Sequence, residues 1–305
     1  MIKSNYEKVD IQNFINKKYN VNIELKPVVE GMESQVYSYI LDNIEYIIRI
    51  NPSIEGFKKD KYAYEHFNSD LIPIPKIVDL GKFNSTHYYC ISEKAKGITF
   101  EDSSEEIVER LLPDITRIME SINSIDISNT TGYGVFLSDT GNAPFDSWKE
   151  YLLNIINDKK YNWEQIKCLD YVDSELVEEV ITKFKELLPF CKEIRKLRHG
   201  DYGANNMLVD ETFKFSGVID WDCAGYGDPL YEVGSSYFWS TWLMCMEKVS
   251  KYWTKVYGHI SDFDKIVKCY ELHIGLEEIY ENAIDKDIET LEWIQNRCRE
   301  ILKEI

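Results

Sequence analysis

Basic residues are in short supply in this chain of 305 residues: 35 Lys+Arg stand against 53 Asp+Glu, a net charge of −18. Nucleic acids and anionic membranes both require basic surfaces, so neither is expected as a partner. No apolar run is long enough to span a bilayer, the longest uncharged one being Val233 to Met246. The opening residues MIKSNYEKVD lack the apolar stretch of a secretory signal. The cysteines, at 90, 168, 191, 223, 245, 269 and 298, are odd in number and include no CxxC, which speaks against a disulfide framework and against zinc. A cytoplasmic protein with reduced thiols is the expectation. His66, His87, His259 and His273 show no ligand spacing, and no repeat or low-complexity segment occurs.

What is present is the composition of a soluble globular chain, 44% apolar and 29% charged, long enough for two lobes. The acidity is lopsided. Residues 1–95 hold 13 acids and 12 bases, whereas residues 96–305 hold 40 acids and 23 bases. Such a field would draw in a cationic ligand, although on charge alone a solubilising surface is the preferred account.

Hydrophobic periodicity predicts a helix over Val9–Tyr19 and strands over Ile23–Val29, Gln35–Leu41 and Ile44–Ile50. A helix from Phe57 to about Ser69 stops before Ile72-Pro73-Ile74-Pro75, and strands Lys76–Phe83 and His87–Glu93 follow. Beyond Gly97 the pattern is helical: Ser103–Ile122, Asp146–Asn157, Ser174–Leu188, Leu230–Tyr257, and Ile260 to the end with breaks. A short β-like stretch, Leu197–Asp220, interrupts it. The fold class is therefore α+β: a small five-stranded antiparallel N-terminal lobe (1–95) and a larger, mostly helical C-terminal lobe (96–305).

The informative segment runs from His199 through Asp201 to Asn206 and on to Ile219-Asp220, an HxDx₄N followed by an apolar-Asp pair. Phosphoryl transfer asks little covalent help of a protein but needs an oriented hydroxyl and divalent cations on the phosphates. Asp201 suits the base that accepts the hydroxyl proton. Asn206 and Asp220 offer hard oxygens for Mg²⁺, and His199 would position the loop. An HxD alone could be no more than a capped turn; the full spacing behind five strands is far more specific.

A nucleotide site would complete this chemistry. Glu30–Tyr37 joins two strands as a phosphate-covering loop would, with Gly31 and Ser34 available for close contact; it is no GxGxxG, and a plain hairpin turn fits as well. Arg49, on the third strand, stands where a phosphate-binding cation is needed, and an exposed edge position is its bland alternative. Its acidic partner should lie on the following helix, where Asp60 or Glu65 could reach; Asp60 is favoured.

HGDYGANN, GVIDWD and GYGDPLYEVG resemble the catalytic loop, metal-binding segment and following turn of the aminoglycoside phosphotransferase family, within the protein-kinase-like fold. EGMESQVYSY, GFKKDKYAYEHF, IPIPKIVDLGKF, YYCISEKAKGITF and EVGSSYFWSTWLMCME are similar to its hygromycin B branch, and the resemblance covers nearly the whole chain. It implies ATP or GTP as donor, Mg²⁺, and a cationic aminoglycoside as acceptor, most closely hygromycin B, inactivated by O-phosphorylation. It also implies that the backbone of Ser92, Glu93 and Lys94 meets adenine, that Leu208 and Ile219 floor the adenine pocket, and that Asp228 braces the catalytic loop. Asp222 and Cys223 depart from the hygromycin pattern near the metal site. Acceptor contacts are expected from Asp222, Trp239, Trp242, Glu277, Glu278 and Tyr280, although a buried aromatic stripe and a solvated helix face explain the last five as readily. A monomer is expected. Competing readings are a kinase of the same fold for choline, a macrolide, homoserine or a sugar, and a catalytically silent nucleotide-binding protein.

Overall fold

The computed structural model describes residues 6–28, 34–157 and 159–305. In chain order its elements begin with α1 (Lys8–Tyr19), β1 (Lys26–Pro27), β2 (Gln35–Leu41), β3 (Ile44–Asn51), α2 (Glu55–Phe67), β4 (Ile77–Lys82), β5 (Tyr88–Glu93) and β6 (Ile98–Thr99). Next come α3 (Glu105–Asn123), β7 (Gly134–Val135), α4 (Trp148–Leu153), α5 (Trp163–Lys167), α6 (Ser174–Leu187), β8 (Lys196–Arg198), β9 (Met207–Val209) and β10 (Phe215–Val218). The chain ends with β11 (Gly225–Gly227), α7 (Leu230–Phe238), α8 (Met244–Tyr257), α9 (Phe263–Asp285) and α10 (Ile288–Lys303). No helix among the described residues is long and apolar enough to cross a membrane.

Two compact units result. The first comprises Met1–Ile98 together with Asn206–Asp222. Its five-stranded antiparallel sheet has the order β1-β2-β3-β5-β4. Asp42 and Asn43, both at positive φ, turn β2 into β3 with the backbone that a two-residue hairpin demands. Alternating residues of β2, β3 and β5 (Tyr39, Ile48, Ile50, Tyr89, Ile91) meet Ile11 and Ile15 of α1 in one apolar core. Ile23 and Leu25 join that core, yet the predicted strand at 23–29 is reduced to Lys26–Pro27 among the described residues. The reason is local. The N–H groups of Ile23 and Leu25 are taken by the side chains of Asn16 and Gln12, which leaves no strand ladder to form there.

The β9–β10 hairpin is part of this unit although it lies far along the chain, beyond the division that the sequence places at residue 95. Val218 N–H bonds the Pro73 carbonyl at 2.7 Å, and Ser216 Oγ donates to the Lys96 carbonyl at 2.5 Å. Gly97, at φ +96, brings its backbone so close to Val209 that a Cβ would collide with the Val209 carbonyl.

The second unit, Thr99–Asn205 with Cys223–Ile305, is mostly helical. It is built around α9, whose buried residues include Ile266, Val267, Tyr270, Leu272, Ile274, Leu276 and Ile279. A small sheet of order β7-β11-β8 carries the chain into the His199 loop. The single helix expected over Leu230–Tyr257 is broken: α7 ends at Phe238, a 3₁₀ turn covers Trp239–Thr241, and Leu243 is extended before α8. Arg297 of α10 explains the break, because its guanidinium takes the Tyr237 and Phe238 carbonyls at 2.9 and 3.0 Å. Asp146–Asn157 likewise shortens to α4 plus a 3₁₀ turn, with Ser147 as its cap. The short α5, capped by Asn162, was not legible as a helix.

Candidate active site

In the first unit, β3 sets Arg49 opposite Val36 on one side and Cys90 on the other. Its Nη2 donates to Asp60 Oδ2 at 2.5 Å, and its guanidinium lies 5.0 Å from the Phe57 ring. Glu65, the other candidate partner, pairs instead with Lys61 on the exposed side of α2. Burial opposes the Arg49 charge, but Asp60, Cys90 and Asp220 outweigh it and hold the guanidinium firmly protonated. The other Asp60 oxygen accepts the Trp221 N–H at 2.9 Å. One buried carboxylate thus serves both Arg49 and the residue after Asp220.

Asp220 itself is held at φ +64, an unusual conformation for a residue with a side chain, and one that is tolerated where it aims a functional group. The Ile219 N–H bonds the Asn206 carbonyl at 2.9 Å and so joins the two expected metal ligands through their backbone. Among the described residues no group of three or more His, Cys, Asp or Glu is arranged to hold a metal. An amide oxygen and one carboxylate suit Mg²⁺, which keeps waters and substrate phosphates in its shell rather than filling an all-protein cage. Leu208, in the middle of β9, faces Gly217 of β10, and Ile219 directly follows β10.

Ser92, Glu93 and Lys94 close β5. The Glu93 and Lys94 N–H groups are taken by the Lys76 and Glu45 carbonyls at 2.9 Å, and Lys94 Nζ meets Glu45 Oε1 at 2.9 Å. Ser34 accepts from Asn51 Nδ2 at 3.2 Å, while Gly31 lies outside the described residues. Asp222 is drawn to α2. Buried Lys59 donates to its carbonyl, the two side chains are 3.9 Å apart, and Gly56 leaves just enough room for the carboxyl. Burial raises the Asp222 carboxyl from its ordinary value, with Lys59 opposing. Lys59 carried no signal in the sequence beyond its place beside Asp60. Asp222, an expected acceptor contact, is a member of this unit, and the other five belong to the second.

In the second unit the loop after β8 is held from several directions. His199 is buried, edge-on to the Tyr202 ring, whose hydroxyl donates to the Ile115 carbonyl at 2.9 Å. Gly200 sits at φ +90, where a Cβ would run into the Cys223 carbonyl. Its N–H donates to Glu232 Oε1 at 2.8 Å. The loop brace is therefore Glu232. Asp228, expected in that part, instead accepts the Leu230 N–H and the Tyr270 hydroxyl. A lone acid inside the apolar run Leu230–Phe238 was the available signal for Glu232.

Helix α9 presents Glu277 and Glu278. Glu277 Oε2 accepts the Tyr231 hydroxyl at 3.1 Å and lies 3.5 Å from His273 Nδ1; burial pushes its carboxyl up to about 7. Glu278 is pushed up to about 8, first by burial and then by repulsion from Glu281, Glu277 and Asp201. Its carboxyl thus feels the charge of the candidate base within the same unit. Tyr280 accepts the Asn162 N–H at 3.0 Å and packs against Tyr161 and Trp163. Trp239 stacks on Trp293 of α10 with planes 5° apart, and Trp242 meets the same ring edge-on while remaining 49% exposed. The sequence reading overlooked Trp293, since nothing local ties α10 to Trp239.

Comparison with known proteins bears on this arrangement. A model of the phosphotransferase enzyme family matches residues 24–249. The chain is 31% identical over 303 residues to hygromycin-B 4-O-kinase of Escherichia coli, covering 99% of this chain and 87% of the relative. The crystal structure of aminoglycoside phosphotransferase APH(4)-Ia superposes with a TM-score of 0.91 at 31% identity, covering 97% of this chain and 99% of that one. A thermostable mutant of APH(4)-Ia, in ternary complex with AMP-PNP and hygromycin B, gives 0.90 at 32% identity, covering 96% and 98%.

Proposed function

The chain belongs to the aminoglycoside phosphotransferase family, and on that premise we propose that it transfers the γ-phosphate of ATP to a hydroxyl of hygromycin B and thereby inactivates the antibiotic. The observation that carries this reading is the similarity over 303 residues to a hygromycin-B kinase, together with the acidic surplus of residues 96–305, 40 acids against 23 bases. An acidic field of this kind disfavours an anionic acceptor and favours one carrying several ammonium groups. The full-length similarity to a hygromycin-B kinase supports the same acceptor, and the AMP-PNP complex of its structural relative supports ATP over GTP.

The residues then divide the work. Asp201 accepts the hydroxyl proton as the oxygen attacks phosphorus in line, with no covalent enzyme intermediate. Glu232 keeps the loop that bears Asp201 in place, with buried His199 beneath it. Arg49, steadied by Asp60, pairs with donor phosphate oxygens, and Ser34 lies by the start of β2 to contact them. Asn206 and Asp220 hold Mg²⁺, which when bound neutralises charge on the phosphates. Leu208, Ile219 and the backbone of Ser92–Lys94 receive adenine. Glu277 and Glu278 bind ammonium groups, while Trp239, Trp242 and Tyr280 offer faces for sugar rings and cations. Asp222, held by Lys59, acts near the metal segment, and the enzyme works as a monomer.

The test is Mg·ATP-dependent ADP release with hygromycin B, kanamycin, spectinomycin, choline and erythromycin as separate acceptors, alongside Asp201→Asn. Release with hygromycin B that drops about a hundredfold in the variant is the expected result. Release with choline or erythromycin alone, or wild-type turnover in Asp201→Asn, refutes the reading.

A further inference from the structure

The inward side of α2 is not apolar throughout, as the packed face of a helix ordinarily is. Gly56, Lys59, Asp60 and Phe67 fall on one side of it at helical spacing, and Lys59 and Asp60 are only 1% and 5% exposed. All four meet Trp221 or Asp222. A Cβ on Gly56 would stand 3.2 Å from the Asp222 carboxyl carbon, and Lys59 Nζ donates to the Asp222 carbonyl. Asp60 Oδ1 accepts the Trp221 N–H at 2.9 Å, and the Phe67 ring lies 5.7 Å from the Trp221 ring.

Lys59 is the costly member of this set, since an apolar side chain would pack in its place without a charge to desolvate. The adjacent Asp60 turns its two oxygens to Arg49 and to Trp221. The Asp222 carboxyl is 3.9 Å from the ammonium and its side chain is 47% exposed, where an ion pair contributes little. What Lys59 grips is backbone, the carbonyl two residues after Asp220. Asp220 sits at φ +64, a conformation that persists in a residue with a side chain only where its surroundings hold it. Before it, the Ile219 N–H is tied to the Asn206 carbonyl at 2.9 Å. After it, the hold comes from α2, through Asp60 on the Trp221 N–H and Lys59 on the Asp222 carbonyl.

We propose that Lys59 is a positioning residue for phosphoryl transfer: from α2 it fixes the backbone that follows Asp220 and so holds that carboxylate in the orientation that binds magnesium. This rests on the reading of Asp220 as a magnesium ligand. Lys59 acts through the peptide chain and not on the metal or the nucleotide. A charge-assisted bond to the carbonyl is stronger than a neutral donor would make, which gives a buried ammonium a use that a packing residue lacks. Because Asp60 of the same helix also holds Arg49, α2 carries the supports of both the strand and the 220–222 segment.

The experiment compares wild type, Lys59→Met, Lys59→Gln, Asp220→Ala and, as a control on the exposed side of α2, Lys61→Met, all in the full chain. Calorimetry gives the ADP affinity with and without Mg²⁺, and hydrogen exchange of the Trp221 amide is followed by NMR without metal or nucleotide. In Lys59→Met the factor by which Mg²⁺ tightens ADP binding should fall at least about tenfold, while the metal-free ADP affinity stays within about twofold. Trp221 protection should fall about tenfold alongside it. Lys59→Gln keeps an N–H donor of shorter reach and should lose about threefold of the magnesium effect, and Lys61→Met none. A lysine needed only for packing would lower Tm and weaken ADP equally with and without Mg²⁺, and that pattern overturns the proposal. So does wild-type Trp221 protection, or an undiminished magnesium effect, in Lys59→Met. If Lys59→Met fails to fold, an undiminished magnesium effect in Lys59→Gln, or failure of both to fold, overturns it as well. An undiminished effect in Asp220→Ala removes the metal reading and the proposal with it, whereas a loss there without one in Lys59→Met removes the proposal alone.

Discussion

Asp60 and Trp221 are joined by a 2.9 Å hydrogen bond from the Trp221 N–H to Asp60 Oδ1, while Asp60 Oδ2 holds Arg49. A single carboxylate on α2 thereby couples the strand that carries Arg49 to the segment that carries Asp220. Lys59, the preceding residue on the same helix, grips the Asp222 carbonyl. The 220–222 segment is clamped from both sides of one helical turn.

Replacing Asp60 separates the two roles of its carboxylate. Asp60→Asn keeps an oxygen for the Trp221 N–H and loses the charge; Asp60→Ala loses both and leaves the mostly buried Arg49 without its partner. In steady-state kinetics the kcat/KM for Mg·ATP should fall about a hundredfold in Asp60→Ala and about tenfold in Asp60→Asn. Equal losses in the two would show that the Trp221 bond contributes nothing.

Asp220 should govern the effect of magnesium on nucleotide affinity. By calorimetry, Mg²⁺ is expected to tighten ADP binding to wild type and to leave Asp220→Ala unaffected. Asp tolerates this positive-φ backbone better than Ala, so the comparison is of the magnesium effect within each protein and not of absolute affinities. An undiminished magnesium effect in the variant would remove Asp220 from the ligand set.

Glu278 gives the protein a pH signature. Its carboxyl rises from an ordinary value of 4.5 to about 8 in the fold, so the folded chain holds a proton that the unfolded chain releases. The stabilisation this supplies is complete below about pH 4.5 and is lost as pH climbs through about 8. Thermal denaturation of Glu278→Gln should therefore decline less over that window than wild type, and parallel Tm–pH curves would contradict it. Affinity for a polycation moves the other way, strengthening as the carboxylate ionises.

Trp242, half exposed and edge-on to Trp293, is the accessible member of the tryptophan cluster. Trp242→Ala should raise the KM for hygromycin B about tenfold with little change in Tm, the scale of one aromatic face against a ring or ammonium group. A lowered Tm with an unchanged KM would place this tryptophan in the packing instead.

Much of this was legible in the chain because it is written locally. The two-residue period of β2, β3 and β5, the Asp42-Asn43 turn and the prolines after α2 each act within a few residues, and they appear in the structure where the sequence places them. The spacing from His199 to Asp220 is likewise a property of one continuous segment. Even the preference for Asp60 over Glu65 follows from α2, where Asp60 shares the buried side with Phe57, Ala63 and Phe67.

The rest depends on partners far apart in the chain, and no local pattern names them. Asn16 and Gln12 of α1 take the N–H groups that would have extended β1, and Arg297 takes the carbonyls that would have carried α7 into α8. Glu232, more than thirty residues beyond Gly200, accepts the Gly200 N–H of the loop for which Asp228 was the expected brace. Trp293 completes a cluster begun at Trp239, and the buried Arg198 guanidinium meets the rings of Trp148 and Tyr231. By itself the sequence determined most of the elements and the candidate residue types, because periodicity and turn chemistry are short-range. Only the tertiary structure decided which buried donors, acceptors and charges meet, because desolvation makes each depend on whichever neighbour the fold brings to it.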